Sequence, residues 1–542
     1  MTTERTTQVS AEDRAHRRRW WTLATLCSGL LIISIDNTIV NVALPTLSRE
    51  LGATNSQLQW IIDSYALVFA GMLLPAGAIG DRFGRKGTLL AGLTIFLAAS
   101  AGAASASGVG ALLVGRSVMG LGAALIMPTT LSVITDVFRV PSERAKAIAI
   151  WAGVAGLGVA IGPVTGGWLL EHFWWGSAFL VNVPILVLAI VATLVFVPRS
   201  RNPEVVPLDI GGAILALVGL TGLVWAIIEA PTHGWASSRT LLVGSLSCLV
   251  LGVFLVHERR TRYPMLDIDV FRNARFSAST LAIMLASFAL FGSMFLFTQQ
   301  MQFVLGCTAL QTGIRLLPLA GMMMVVAVTS VKLVQLVGTK FVVGGGMATI
   351  AVGLALTSRL GVNSTYVDII GPLLVLAAGM GATMAPATES IMGAVPVGKA
   401  GVGSAVNDTT RELGGALGVA VLGSLLASWY NGPIVDAVGS RLPDSATNVA
   451  SDSIGGALAV AQSIGGRAGA ELGAVARATF VDAMGSAMLV GAATALVGAI
   501  VALLLLPSHA PEAEPSKPTD DQQQDRDILG EVTSVEVGAG AR

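Results

Sequence analysis

Three ionisable residues interrupt long apolar runs in the N-terminal part of the chain: Asp36, Asp63 and Arg116. A charge at mid-bilayer costs about 2.5 to 3.5 kcal/mol on insertion scales, so such residues are candidates for function. At the helical rise, Asp36 lies about 16 residues, roughly 24 Å, into its run. Asp63 and Arg116 lie about four and seven residues, roughly 6 and 10 Å, into theirs from the opposite end. All three therefore fall in one half of the membrane. Carboxylates and a guanidinium at one depth can form a buried network that gains and loses protons as the site opens and closes. The bland alternative is a permanent structural ion pair. A second group, Asp408, Arg411 and Glu412, stands at i, i+3 and i+4. That spacing confines it to about a 100° arc of one helix face. It is either a second coupling site or a set of carboxylates neutralised by Arg411. Glu389 and Glu229 sit near the ends of apolar runs. Both are within snorkelling reach of water, and Glu389 is the stronger candidate of the two.

The elements that carry these residues follow from composition. Of the residues, 53% are hydrophobic and 12% charged in a chain of 542. The charged share is about half that of a soluble domain, which excludes a water-soluble globule. The 63 Gly show no collagen period, and the apolar residues come in blocks. Roughly 20 apolar residues make one helical span. Fourteen fit, at 20–44, 59–79, 88–107, 109–135, 145–170, 177–197, 209–229, 239–257, 276–305, 309–336, 340–357, 367–392, 402–428 and 480–506. The predicted class is an all-α integral membrane protein. With both termini placed in the cytoplasm, 23 Lys and Arg fall on the inner side, 6 in outer loops and 4 within spans. That asymmetry supports the orientation by the positive-inside rule. The first span follows Arg17, Arg18 and Arg19 but is too long for a signal-peptide core and is read as retained. Lys plus Arg equal Asp plus Glu at 33 each, so net charge gives no reason to expect nucleic acid. Cys27, Cys248 and Cys307 are read as packing residues.

Charged linkers divide the spans as six, two and six. The expected organisation is a cytoplasmic tail over 1–19, a six-helix bundle over 20–198 and an inserted hairpin with its linkers over 199–275. A second bundle follows over 276–506, including a long outer loop at 429–479, and a disordered cytoplasmic tail covers 507–542. Within the outer loop, Ile454 to Ala478 reads as Ala-rich helix broken by Gly pairs.

Two motifs have direct physical readings. Gly158, Gly162 and Gly166 at i, i+4 and i+8 make a smooth strip for close helix approach, and Pro163 removes a backbone hydrogen bond. In GAIGDRFGRKGTLL, Gly77 to Leu90, Gly84 permits a tight turn flanked by Asp81, Arg82, Arg85 and Lys86. These stretches, with IDNTIVNVALP (Ile35 to Pro45), LLVGRSVMGLGAA (Leu112 to Ala124) and GVAIGPVTGGWLL (Gly158 to Leu170), resemble the fourteen-helix drug/proton antiporters of the major facilitator superfamily. QLQWIIDSYALVFAG, ALIMPTTLSVITDVF, SAFLVNVP and PMLDIDVF are most similar to its quaternary-ammonium and dye exporters.

The resemblance implies the superfamily fold and export of lipophilic, cationic compounds driven by protons. It makes Arg116 a proton-coupling residue and Gly77, Asp81, Arg82, Gly84 and Arg85 an inner gate with Asp136 as partner for Arg85. Gly158, Gly162, Pro163, Gly166 and Gly167 become its antiporter motif. Two departures stand out: Met322 to Met324 occupy a stretch that can carry an acid in exporters of bulky dications, and the gate motif has only a degenerate echo around Gly338 and Lys340.

A promiscuous cavity needs apolar, adaptable walls. That makes Trp60, Tyr65, Trp151, Phe291, Phe295, Gln299 and Met322 candidates, against the commoner role of packing between helices. GAVPVGKA, Gly393 to Ala400, imitates a phosphate-binding loop but lacks its final Ser or Thr and joins two apolar helices. The five His show no metal-ligand spacing, so neither metal nor cofactor is expected, nor an enzyme. Expected partners are small lipophilic cations, protons and membrane lipids, with no nucleic acid and a monomeric state, in a bacterial inner membrane. The rival readings are a dedicated exporter of one metabolite or antibiotic and a non-transporting scaffold or lipid-handling protein.

Overall fold

The computed structural model describes residues 2–201, 207–395, 400–438 and 442–507. Among these, 14 helices are long and apolar enough to cross a membrane. They are α1 (Thr2–Leu51), α2 (Asn55–Phe83), α3 (Arg85–Ala104), α4 (Val109–Val137), α5 (Pro141–His172), α6 (Asn182–Phe196, preceded by the short helix Ser177–Leu180) and α7 (Ile210–Ile228). Then follow α8 (Ser238–Arg260), α9 (Ala274–Gln299), α10 (Ala309–Val337), α11 (Thr339–Thr357), α12 (Tyr366–Gly393), α13 (Ala400–Val438) and α14 (Gly466–Leu505). The face on which α1 starts is called here the N-terminal face, and the opposite one the distal face.

Local chemistry sets the helix ends. Thr54 with Gln57 caps α2, Thr308 with Gln311 caps α10, and Thr365 with Asp368 caps α12, each as a reciprocal capping box. Gly84 between α2 and α3 has φ 104° and Gly338 between α10 and α11 has φ 90°. Both lie in the region that favours glycine, so the weak sequence echo of the gate motif keeps the positive-φ glycine turn.

In lipid there is no hydrophobic drive between helices, so association relies on close packing of small residues and buried hydrogen bonds. In the first bundle α1 packs on α5 and α6, and α4 on α2 and α3. A Cβ on Gly92 would lie 2.9 Å from the Gly122 carbonyl oxygen, so α3 and α4 approach backbone to backbone. In the second, α9 packs on α13 and α14, and α12 on α10 and α11. The bundles meet along two seams, α2 with α13 and α5 with α10. Of the inserted pair, α7 lies against α2 and α13 while α8 packs on α7.

The outer segment differs from a loop. The helix α13 runs on to Val438, the short helices Asp444–Asp452 and Ile454–Ile464 follow, and α14 starts at Gly466 rather than near 480. Of the paired glycines expected to break the helix, Gly465 and Gly466 do so, with φ 65° and 56°, whereas Gly455 and Gly456 lie inside Ile454–Ile464. Such positive φ values suit glycine. The helix α14 has 40 residues. At the helical rise it is roughly 60 Å long, about twice a hydrocarbon core, so its first turns project beyond the membrane. At the start of the chain, residues expected as a tail continue α1 from Thr2. The expected tail from 508 onward and positions 396–399 of the false phosphate loop lie outside the described residues.

Candidate functional site

The deepest polar feature is built around Asp36, which is fully buried. Its Oδ2 accepts from Arg116 Nη1 at 2.5 Å, and its Oδ1 from Asn182 Nδ2 at 3.0 Å. Arg116 also donates from Nε to the Ile61 carbonyl at 3.0 Å, and its guanidinium carbon stands 4.3 Å over the Tyr65 ring, a cation–π contact. Asn182 is held in turn by Ser100 at 3.1 Å, whose hydroxyl donates to the Phe179 carbonyl at 2.8 Å. Five helices, α1 to α4 and α6, thus fix one carboxylate. Each charged group has both a counter-charge and hydrogen bonds, the condition under which a buried pair is tolerated.

Asp63 lies at the distal side of the same bundle and is equally buried. Neither of its carboxylate oxygens has a hydrogen-bond partner among the described residues. It is not a member of the Asp36–Arg116 pair, although sequence depth placed all three together. From the other bundle Glu412, 6% exposed, reaches the Asn37 side chain, next to Asp36 in sequence, and so brings the two acidic sites together across the seam. Asp408 accepts from Asn407 at 3.1 Å, Asn407 is bonded by Thr388, and Arg411 stands within electrostatic reach of both Asp408 and Glu412. Glu389 is exposed near the end of α12, apart from these contacts. Glu229 ends α7 and lies 3.7 Å from His233.

At the N-terminal face Arg85 is shared between Asp81, at 2.9 Å, and Asp136, and it also donates to the Ser132 carbonyl at 3.1 Å. The Arg85 amide meets the Ser200 carbonyl at 2.9 Å, and Lys86 donates to the Leu194 carbonyl at 2.8 Å, which tie α3 to the end of α6. Gly77 faces Pro128, and Arg82 lies over the Phe83 ring.

The glycine strip of α5 serves two helices. A Cβ on Gly158 would sit 2.5 Å from Ser34 Cβ, one on Gly162 would collide with Thr38 Oγ1, and one on Gly166 would lie 3.1 Å from Ile39. Those are the turns of α1 that bear Asp36. Gly167 faces the other way: its Cβ would stand 2.5 Å from Leu310 Cα on α10, and a Cβ on Gly313 would meet the Pro163 carbonyl. The motif therefore holds the Asp36 helix on one side and the opposite bundle on the other.

Of the expected wall residues, Tyr65 lies beneath Arg116 and Trp60 packs on the buried cluster of Ala66, Leu67, Val224, Ile228, Ala416 and Ala420 where α2, α7 and α13 meet. Trp151 donates to Thr130 Oγ1 at 3.2 Å, Phe295 is fully buried and Gln299 donates to the Phe295 carbonyl at 3.1 Å. Phe291 lies against Gly415, and Met322 is half-buried. Sequence reasoning singled out neither Asn182, Ser100 nor Asn37; a polar side chain inside an apolar run is the signal that was there to use.

Helices with charges held inside the fold, and two bundles meeting along glycine-lined seams, define a multi-pass transporter. Comparison with known proteins gives the family. The Major Facilitator Superfamily pattern matches residues 26–419, and the chain belongs to that superfamily; it is a transporter rather than an enzyme. It is 37% identical to the "Multidrug efflux pump LfrA" of Mycolicibacterium smegmatis, over 90% of this chain and 97% of that protein. It is 34% identical to the "Methyl viologen resistance protein SmvA" of Salmonella typhimurium, over 86% and 93%, respectively. With the "Tetracenomycin C resistance and export protein" of Streptomyces glaucescens it shares 33% identity, over 92% and 94%. Among solved structures, a bacterial homologue of the human lysosomal transporter Spinster, inward-facing and unoccupied, superposes with a TM-score of 0.65 at 16% identity, covering 92% of this chain and 99% of that one, a likeness of fold.

Proposed function

We propose that this protein is a proton-coupled efflux antiporter that exports lipophilic, cationic drugs, antiseptics or dyes across a bacterial inner membrane, with both termini in the cytoplasm. The single observation that carries this reading is the Asp36–Arg116–Asn182 network, buried beside Glu412 of the opposite bundle. A carboxylate with a fixed cation can release that cation when it takes a proton, and thereby change what holds α1 in place. The relatives named for multidrug efflux and methyl viologen resistance support the substrate class.

The bundles support alternating access. Near the distal face Gln302 donates to the Val42 carbonyl at 2.9 Å, Asn55 donates from Nδ2 to the Gly423 carbonyl at 3.3 Å, and the Leu310 amide donates to Glu171 at 3.3 Å. These contacts join the two bundles at the distal side, which supports reading this conformation as the one that faces the cytoplasm. Opening it requires both seams to part, and the gate around Arg85 then closes the other side. Moving a positive charge out against 100 mV costs about 2.3 kcal/mol, and each entering proton returns as much, so voltage drives export of a monovalent cation only with a second proton. Asp36, Asp63, Glu412 and Asp408 supply the carboxylates for that task, with Glu389, exposed on α12, as a further candidate.

The test is ethidium-dependent proton flux in liposomes holding the purified protein. Flux in wild type and its loss in Asp36→Asn is the expected result, and a flux that ignores ethidium contradicts the reading. A second reading, a dedicated exporter of one antibiotic, is favoured by the similarity to the tetracenomycin C protein. Susceptibility to a broad set of cations separates the two, since a dedicated exporter protects against few.

A further inference from the structure

A line of polar side chains on α2 runs from the distal contact at Asn55 to Asp63. Asn55, Gln59 and Asp63 are 4%, 0% and 0% exposed. They stand at i, i+4 and i+8, on one helix face. The face lies on α13 of the other bundle. There the Ser424 hydroxyl, itself fully buried, donates to Gln59 Oε1 at 3.2 Å. A Cβ on Gly423 would stand 2.8 Å from Gln59 Cδ, so glycine at that position lets the carboxamide lie flat on the seam.

With its oxygen taken by Ser424, the carboxamide turns its nitrogen away. Gln59 Nε2 is buried without a partner among the described residues, as are both oxygens of Asp63 one turn further on. Side chains lean toward the start of their helix, so Asp63 leans toward Gln59. A partnerless donor and two partnerless acceptors with Cβ atoms about 5–6 Å apart are within the reach of one bridging water.

We infer that Gln59 is a positioning residue that reports the state of the distal seam to Asp63. While the seam is closed, Ser424 holds the carboxamide oxygen and leaves the NH₂ group for Asp63. When α2 parts from α13, the carboxamide is released and can turn its oxygen to the carboxyl group. A donor favours the carboxylate and loss of the proton; an acceptor favours the acid and its retention. That is the order an exporter needs, with protons bound from the distal side and released at the cytoplasmic side. The inference rests on the proton-coupled reading above.

Other charges on the elements around α2 are engaged elsewhere or lie at the ends. Asp36 and Arg116 hold each other, Glu412 reaches Asn37, and Asp408 is bonded by Asn407 with Arg411 within electrostatic reach of both carboxylates. Asp136, Arg85 and Lys86 lie at the N-terminal face, Asp452 accepts from the Asn55 amide, and Glu229 meets His233. Arg49 turns to Gln302, leaving Gln59 as the polar neighbour of Asp63 on its own helix face.

The full-length protein in liposomes tests this with ethidium as cargo, recording proton flux against pH on the cytoplasmic side for wild type, Gln59→Leu and Ser424→Ala. Loss of the amide removes the donor, so Gln59→Leu moves the pH midpoint of exchange upward by about one unit. Ser424→Ala, which only frees the amide, moves it in the same direction by about half as much. A midpoint unmoved in both variants, with only the rate reduced, overturns the inference and leaves Gln59 as packing. If Gln59→Leu fails to insert, Ser424→Ala alone decides in the same way. Wild type without ethidium-dependent flux overturns the antiport reading itself, a different failure from an unmoved midpoint.

Discussion

Asp36 and Asp63 are two fully buried carboxylates of one bundle with opposite surroundings. Asp36 has a guanidinium, a carboxamide and, behind these, a chain of bonds through Ser100 to the Phe179 carbonyl. Asp63 has no hydrogen-bond partner for either oxygen among the described residues. Burial alone therefore does not make the two sites equivalent: the first is tied into the helix packing by a counter-charge and hydrogen bonds, and the second has no such tie from a described residue. On the proposed antiport reading this becomes a division of labour, in which protonation of Asp36 would loosen helices while Asp63 would take and give a proton without breaking a pair.

The largest effect should come from Arg116→Ala, which leaves Asp36 without its counter-charge. Loss of one partner of a buried pair costs about 3 to 5 kcal/mol, so a steep fall in thermal stability in detergent is expected. Asp63→Asn removes no partner and should change stability by no more than about 1 kcal/mol. Equal losses in the two variants would erase the distinction between the sites. Gly162→Val drives a branched side chain into Thr38 beside the Asp36 turn. Overpacking of that kind costs about 1 to 3 kcal/mol, and exchange should be lost before folding is. Unchanged exchange in that variant would show that α5 does not hold the Asp36 helix.

Smaller effects belong to the faces. Burial pushes the Asp209 carboxyl up, but the Gly212 amide and His257 outweigh it and hold the group below the usual carboxylate range. A carboxyl depressed in the folded state adds stability above its unfolded value, and that stability is lost as pH falls through the folded value. Asp209→Ala, which also removes the cap of α7, should cost about 1 kcal/mol near neutral pH, with the gap to wild type narrowing below the ordinary aspartate range. A gap independent of pH would assign the effect to packing. The pair of Asp136 with Arg85 is partly exposed. Least of all, then, Asp136→Asn should alter stability by under about 1 kcal/mol while slowing exchange through the gate.

The spans were legible because apolar length is a property of the chain alone, and the charges were legible because each is costly inside lipid. Pairing was not. Depth along a helix places Asp63 with Asp36 and Arg116, but depth does not give azimuth, and Asp63 makes no hydrogen bond to that pair. Nor could periodicity reveal that Glu412 crosses to Asn37, a contact between residues far apart in the chain that only the meeting of two bundles creates. The spacing of the α5 glycines predicts a helix-packing surface; that Gly167 faces α10 instead of α1 is set by the seam itself. In the outer segment the Ala-rich helical stretch is legible, but not that α13 runs on to Val438 or that α14 starts as early as Gly466.

The central claim is that Asp36 couples proton uptake to cargo release. It is tested most directly by ethidium-driven proton flux in liposomes with Asp36→Asn beside wild type, each checked for ethidium binding. The expected result is a variant that binds ethidium but moves no protons in exchange for it. Proton-coupled exchange at the wild-type rate in Asp36→Asn would contradict the claim.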